Sequence, residues 1–307
     1  MNLIIQPDAG LAPVVRAIRG ARRRVDVAIF RIDRPDIEKA LAAAVQRGVR
    51  ARVLVAHTNH GGQGRLRKLE QRLLEAGVTV ARTGDEFVRY HGKFMVADDK
   101  LHLFGFNFTK ADMTKSRSFG ISTRDKKAVD EALGLFEADS TRQPFTPKRT
   151  HLVVSPENAR EVLMSFVKGA KQQLLIYEMN LQDRAFVKLL KQQASSGMDV
   201  RVIGKFKNSA PIEVRALRDL RLHVRAIVRD GAYAFVGSQS LRRLELDHRR
   251  EVGVLITNRS VARKLRDVFE RDWADSATKK DEKKEHKEEK EEKRAPMSEA
   301  RESLQPA

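Results

Sequence analysis

A chain of 307 residues with 41% hydrophobic content is long enough for one large domain or two ordinary ones with a real core. It contains no cysteine, which excludes disulfides, thiolate–zinc sites and a cysteine nucleophile and leaves histidine as the natural candidate for catalysis. The formal net charge of +19 points to polyanionic partners, nucleic acid or an anionic bilayer, and away from basic proteins and neutral small substrates.

The chain opens with Leu3-Ile4-Ile5-Gln6-Pro7-Asp8, a short strand without the basic flank and long apolar core of a signal peptide. No stretch approaches the ~18 apolar residues that span a bilayer, so a cytoplasmic location is expected, peripheral at a membrane if lipid is the partner. Val14, Val15 and Ile18 recur at helical intervals, and Val25–Phe30 and Ala51–Val55 read as strands. The clusters Arg22-Arg23-Arg24 and Arg65-Leu66-Arg67-Lys68 read as solvated helix faces that add to the basic field. His57 and His60 are spaced like a metal pair, yet their loop offers no nearby acid or cysteine, and no metal site is assigned to them. His102, His151 and His248 read as structural residues.

Next comes Tyr90-His91-Gly92-Lys93, leading into the strand Phe94–Ala97 and Asp98, and then Phe104-Gly105-Phe106-Asn107-Phe108-Thr109. Residues 140–150, with Pro144 and Pro147, read as a linker. Beyond it the chain repeats itself. At an offset of 149 positions, Leu152–Glu157 matches Leu3–Asp8, Gly169-Ala170-Lys171 matches Gly20-Ala21-Arg22, and Arg201-Val202-Ile203 matches Arg52-Val53-Leu54. Leu163, Phe166 and Val167 repeat the helical spacing, and Leu174–Tyr177, Val200–Gly204, Val224–Val228 and Ala234–Val236 are further strands. The second half is about 17 residues shorter before its own motif, because His223 follows His91 by 132 positions, and Glu75–Arg82 has no ungapped counterpart. That motif is Leu222-His223-Val224-Arg225 through Asp230, followed by Gly237-Ser238-Gln239-Ser240. From Lys279 to Glu302 nine basic residues meet nine acids, so the whole excess charge lies in residues 1–278. This Lys/Glu-rich tail, from residue 276 on, lacks an apolar stripe and is expected to be disordered.

Strands alternating with helices in two matched halves predict an α/β fold of two pseudo-symmetric lobes, each a mixed β-sheet flanked by helices. The boundaries expected are 1–139 and 151–275, joined by the linker 140–150 and followed by the tail 276–307. Both motifs read His-x-basic-x4-Asp. Alternation along a strand would put His91 and Lys93 on one face, and His223 and Arg225 likewise, so that each imidazole and its cation address one phosphate.

The duplicated pattern resembles the His-Lys-Asp motif pair of the phospholipase D superfamily, over about residues 1–260. The resemblance implies that one histidine attacks phosphorus to form a phosphohistidine, with His91 in that role, while His223 serves as acid and then base. It implies that Lys93 and Arg225 hold the non-bridging oxygens, that Asn107, Ser238 and Ser240 belong to the substrate-binding set, and that Asp98 and Asp230 complete the motifs by positioning loops and basic residues. Glu251 matches the acid that fixes a histidine tautomer; its repeat mate is Ser118, so one histidine is expected to be held less firmly. No metal or cofactor is required.

Departures from the pattern fall in both halves: in the second, Arg225 replaces lysine and Ser240 stands where asparagine is usual; in the first, Phe104-Gly105 replaces Gly-Ser and the stretch between Asp98 and Asn107 is one residue shorter. The implied activity is phosphodiester hydrolysis, on a phospholipid headgroup first, with a metal-independent endonuclease as rival and a degenerate phosphate or nucleic-acid binder as a third reading. The basic body suits nucleic acid and an anionic membrane surface alike, while 6% aromatic content argues against a dedicated single-strand binder. Phe104, Phe106 and Phe108 are expected to form an apolar rim at the site. No obligate protein partner is implied.

Overall fold

The structure, a computed structural model, describes residues 1–58, 63–148, 151–207 and 210–278. The first half runs β1 (Asn2–Gln6), α1 (Ala12–Gly20), β2 (Arg24–Ile29), α2 (Pro35–Gln46), β3 (Arg50–Val55), α3 (Gln63–Glu75), β4 (Thr79–Arg82), β5 (Arg89–Tyr90), β6 (Phe94–Ala97), β7 (Lys100–Phe104), α4 (Lys110–Thr114), β8 (Ser116–Thr123) and α5 (Lys126–Thr141). The second runs β9 (Leu152–Ser155), α6 (Ala159–Lys168), β10 (Gln173–Leu181), α7 (Arg184–Ser195), β11 (Asp199–Phe206), β12 (Glu213–Ala216), β13 (Arg221–Leu222), β14 (Arg225–Arg229), β15 (Tyr233–Gly237), α8 (Arg243–Asp247), β16 (Arg249–Ile256), α9 (Arg259–Ala274) and β17 (Ala277–Thr278).

Each half builds one mixed sheet with the same order. In the first it is β1-β8-β7-β6-β2-β3-β4, and in the second β9-β16-β15-β14-β10-β11-β12, extended by β17. The β2-β3-β4 and β10-β11-β12 runs are parallel and the remaining pairs of these paths antiparallel, because hairpins such as β6–β7 close through tight turns while the parallel crossovers need helices. The extra length of the first half is α3; its counterpart connection from β11 to β12 has no helix among the described residues.

Helix spacing explains the layers. Val14 and Ile18 of α1, and Ile37, Leu41 and Ala44 of α2, lie on one face each and cover the outside of the first sheet. Leu163, Phe166, Phe186 and Leu190 do the same for the second. Helices α5 and α9 pack between the sheets, where Leu135, Phe136, Leu265 and Phe269 join Leu103, Phe119, Val154, Val236 and Val252 in one cluster. Asp125 and Asn258 start these two helices by accepting from the backbone N–H groups of Ala128 and Val261.

The sheets also exchange strands. β5, just before His91, leaves its own half and pairs in parallel with β16; β13, just before His223, pairs in parallel with β8. Consequently His91, Gly92 and Lys93 lie in the irregular crossing between β5 and β6 rather than within a strand, and His223 likewise precedes β14. The expected strand alternation does not hold there, because the chain is passing from one sheet to the other.

The aromatic rim is also corrected. Phe104, Phe106 and Phe108 are fully buried, with neighbouring ring centroids 5.2 Å apart, inside the core under α1 and α2. Of the charged tail, β17 pairs with β12; residues 279–307, including His286, lie outside the described residues, as does His60.

A buried cation ties the halves together. Arg250 of β16 is 2% exposed, donates to Asp139 of α5 at 3.1 Å and to the Ser155 carbonyl at 2.9 Å, pairs with Glu157, and stacks over Phe87. Burial pushes the Asp139 carboxyl up to about 6 despite Arg250 beside it. Arg250→Met is expected to lower the unfolding free energy by about 3–5 kcal/mol in urea denaturation, since it strands a buried carboxyl group. A loss below about 1 kcal/mol would mean that the arginine is held only for its shape.

Candidate active site

The strand exchange brings the two histidines into one electrostatic neighbourhood. The backbone N–H of His91 donates to the Arg250 carbonyl at 2.8 Å and that of His223 to the Arg117 carbonyl at 3.2 Å, so each is anchored by the opposite half. Both side chains are largely buried, and the charge of His223 is among those that act on His91. Phe30 packs edge-on against the His91 ring at 4.9 Å.

Each ring meets a carboxylate that also comes from the other half. His91 Nδ1 lies 2.8 Å from Glu251 Oε2, and His223 Nδ1 lies 3.0 Å from Asp112 Oδ1. In the second contact the N–H direction is poorly aligned for a hydrogen bond, and the pair becomes ionic only when His223 is protonated. An ionised carboxylate only accepts, so Nδ1 of each ring carries the proton and Nε2 is left with its lone pair. The acid absent at Ser118 is thus supplied from another position, through a contact less well aligned than that of Glu251 with His91. Ser118 is buried and holds neither ring, and Asp112, six residues earlier on α4, supplies the acid. The signal for Asp112 was local: Thr109 caps α4 by accepting from the Asp112 N–H, which fixes a carboxylate in the first turn beside Asn107.

The cations sit at the same place. Lys93 Nζ is fully buried and donates to the His91 carbonyl at 2.7 Å; burial lowers its pKa to about 7, with Arg225 adding to the fall and Glu251 opposing it. Burial also pushes His91 well below its ordinary value, with Lys93, Arg225 and His223 acting in the same direction. His223 is lowered by burial, against the pull of Asp112. Burial alone would raise Asp112, yet contact with His223, the Asn107 N–H and Arg221 holds it far below the usual carboxylate range. Glu251 is raised by its complete burial, Lys93 and Arg225 notwithstanding. The result is two neutral imidazoles set among two cations, Lys93 and Arg225, and two carboxyl groups, Glu251 and Asp112.

The family model described as cardiolipin synthase, PLD-like domain, matches residues 14–140 and 204–273, which include both motifs. The chain belongs to the phospholipase D superfamily. Among curated proteins, human mitochondrial cardiolipin hydrolase is 28% identical over 164 residues, covering 50% of this chain and 62% of the relative. The mouse protein of the same name is 28% identical over 152 residues, covering 46% and 65%. The chain thus spans a little under two thirds of the length of these curated relatives. Among solved structures, polyphosphate kinase from Porphyromonas gingivalis superposes with a TM-score of 0.74 at 19% identity, over 88% of this chain and 46% of the kinase. Phosphatidylserine synthase from Haemophilus influenzae Rd KW20 gives 0.69 at 12% identity, over 90% and 86%. At these identities the likeness is one of fold.

The remaining residues read from the phospholipase D motifs fall into two groups. Arg225 Nε donates to Ser240 Oγ at 3.1 Å, and its Nη1 is buried without a partner. The two departures therefore touch one another, the serine leaving room for and bonding the larger guanidinium. Asn107 donates through both its backbone N–H and Nδ2 to Asp112 Oδ2, at 2.8 and 3.1 Å, and its Oδ1 has no partner. Ser238 exchanges hydrogen bonds with the Val252 backbone beside Glu251.

Asp98 and Asp230 belong elsewhere. Each stands after its strand with φ of 54° and 53°, a left-handed turn position that aspartate tolerates. Their carboxylates accept from the backbone N–H groups of residues 22–24 and 171–173 respectively. Each aspartate stands at the far end of β6 or β14 from its histidine, roughly 13 Å or more of strand away, and closes that end of its sheet.

Proposed function

We infer that the protein is a metal-independent phosphodiesterase that works through a phosphohistidine on His91 and hydrolyses a phospholipid phosphodiester. The observation that carries this reading is reciprocal: each histidine is flanked by a cation two residues on and by a carboxylate donated from the other half. With Nδ1 committed to Glu251, His91 Nε2 is the free nucleophile; its attack forms a P–N bond as the P–O bond to the leaving group breaks. His223, protonated once the substrate anion has entered among the cations, gives its Nε2 proton to the leaving oxygen. It then takes a proton from water as the water oxygen displaces His91 from phosphorus. Lys93 and Arg225 offset the charge on the non-bridging oxygens, and the unpartnered Nη1 of Arg225 is suited to that task.

The lipid assignment is supported by the names of the two mitochondrial relatives, which are cardiolipin hydrolases. A nuclease is the second reading, favoured by the +19 charge. Among the described residues no helix is long and apolar enough to cross a membrane, so a lipid substrate would be met at a bilayer surface through basic side chains. Turnover of bis-p-nitrophenyl phosphate in EDTA tests the chemistry. Cardiolipin vesicles and single-stranded DNA or RNA, run in parallel, then select the substrate: headgroup release without strand cleavage supports the lipid, and the reverse outcome supports the nuclease.

The pH profile follows from Lys93. Its ammonium is lost on raising pH through about 7, so kcat/KM is expected to fall above that pH by up to about tenfold per unit. Lys93→Arg is expected to abolish this alkaline limb, since a guanidinium stays charged. An unchanged limb would assign it to another group.

A further inference from the structure

A cavity lies on the first half at the opposite end of the β6–β7 hairpin from the histidines, four strand residues or roughly 13 Å away along the sheet. Its volume is about 450 Å³, within the range that holds a small organic ligand. On its wall stands His102, in the middle of β7 and 4% exposed. The ring stacks on Phe104 at 6.3 Å, which accounts for its flat face. Neither of its nitrogens has a hydrogen-bond partner. A neutral imidazole always carries one donor and one acceptor, and leaving both unmade in a buried place is costly unless a ligand completes them.

The charges around this ring are cationic and partly uncommitted. Arg16 of α1 and Lys100 at the start of β7 face the cavity, and neither has a carboxylate partner among the described residues. Arg124 stands beside them and pairs with exposed Asp99 at 3.3 Å. The other acid on the wall, Asp98, is fully engaged with the backbone N–H groups of Arg22, Arg23 and Arg24. The rest of the lining includes Leu3, Pro13 and Ala17, an apolar wall for the body of a ligand. The equivalent cavity of the second half is lined differently: Phe235 takes the place of His102 in its strand, Ser165 and Tyr233 stand where Arg16 and Lys100 do, and Arg229 lies over the Phe166 and Tyr233 rings, with His151 and Glu161 also in the lining.

We propose that this cavity is a second anion site, separate from the paired histidines, which binds the phosphate of a small phosphomonoester between Arg16, Lys100 and the ring of His102. The phosphate oxygen accepts from the His102 N–H and from both cations, and the apolar wall receives the remainder of the molecule. Burial, Lys100 and Arg124 lower the pKa of the empty ring to about 4, so it enters the site as a neutral donor.

The test uses the full chain labelled with nitrogen-15 in histidine, with the His102 signals assigned by comparison with His102→Gln, and inorganic phosphate as the probe. The His102 ring signals are expected to shift saturably. In the Arg16→Ala/Lys100→Ala double variant the phosphate concentration at half-saturation is expected to rise at least about tenfold. Turnover of bis-p-nitrophenyl phosphate without added phosphate should be the same in both proteins, because none of these residues touches the catalytic pair. The His91 and His223 signals report the other site in the same spectra. His102 signals that stay still while those of His91 and His223 titrate, or a His102 shift of equal affinity in the double variant, would overturn the proposal.

Discussion

Replacing His91 by alanine is expected to lower kcat by about three to four orders of magnitude on every phosphodiester, with the folded state retained. The ring supplies the only Nε2 lone pair that Glu251 holds free, and neither Lys93 at the His91 carbonyl nor Arg225 at Ser240 can form the covalent intermediate in its place. The partner histidine behaves differently. In His223→Ala, a p-nitrophenyl ester still loses its leaving group as a stabilised phenolate, so the first step persists while the water step fails. One equivalent of nitrophenolate per enzyme is then released in a burst, and the phosphorylated imidazole accumulates. A lipid headgroup leaves as a poorer alkoxide and needs the proton, so the same variant is expected to show no burst with cardiolipin. Turnover of His91→Ala within about tenfold of the native rate would remove His91 from the nucleophile's role. A burst in His91→Ala and none in His223→Ala would exchange the two assignments.

What was legible in the sequence was the part written in periods. Matched runs such as Leu3–Asp8 and Leu152–Glu157 gave the two halves, and alternating strands and helices gave sheets whose orders coincide position by position. The motif residues His91, Lys93, His223 and Arg225 were legible because two copies with a basic neighbour are not a packing pattern. Contacts that depend on the chain leaving its own half were not legible. The two-residue strands Arg89–Tyr90 and Arg221–Leu222 are too short to carry a period, yet their pairing with β16 and β8 decides where both histidines stand. For the same reason only one of the two orienting acids, Glu251, stands out in the sequence, and Asp112 does not.

The repeat itself misled at that point. Residue 118 maps to 251 and residue 112 maps to 245, each by 133 positions, so a symmetric protein would use Ser118 with Glu251 or Asp112 with Glu245. The structure uses Asp112 and Glu251, one from each register, while Glu245 is taken up by Arg249 and Arg242. Phe104, Phe106 and Phe108 failed differently: aromatic residues beside a site are as easily its floor as its rim, and only the helices above them settle which.

That broken symmetry yields the second large effect, Asp112→Asn. Two donors from Asn107 already occupy Asp112 Oδ2, so the amide oxygen must stay on that side and its NH2 must turn toward His223 Nδ1. A donor then faces a donor. The ring is driven to the tautomer with its proton on Nε2, and its imidazolium loses the carboxylate that stabilised it. A loss in kcat of about 10³-fold is expected on lipid, with KM nearly unchanged because Asp112 does not face the phosphate oxygens. Glu251→Gln acts on His91 with less constraint, since Ser238 is turned to the Val252 backbone and the amide can present its oxygen to the ring; a smaller loss, about 10–10²-fold, is expected. Asp112 is a positioning residue, and the decisive readout is a double-mutant cycle. Added to His223→Ala, the Asp112→Asn change should cost less than about threefold further, because the ring through which it acts is gone. A full additive loss in that background would mean that Asp112 reaches catalysis by a route other than His223.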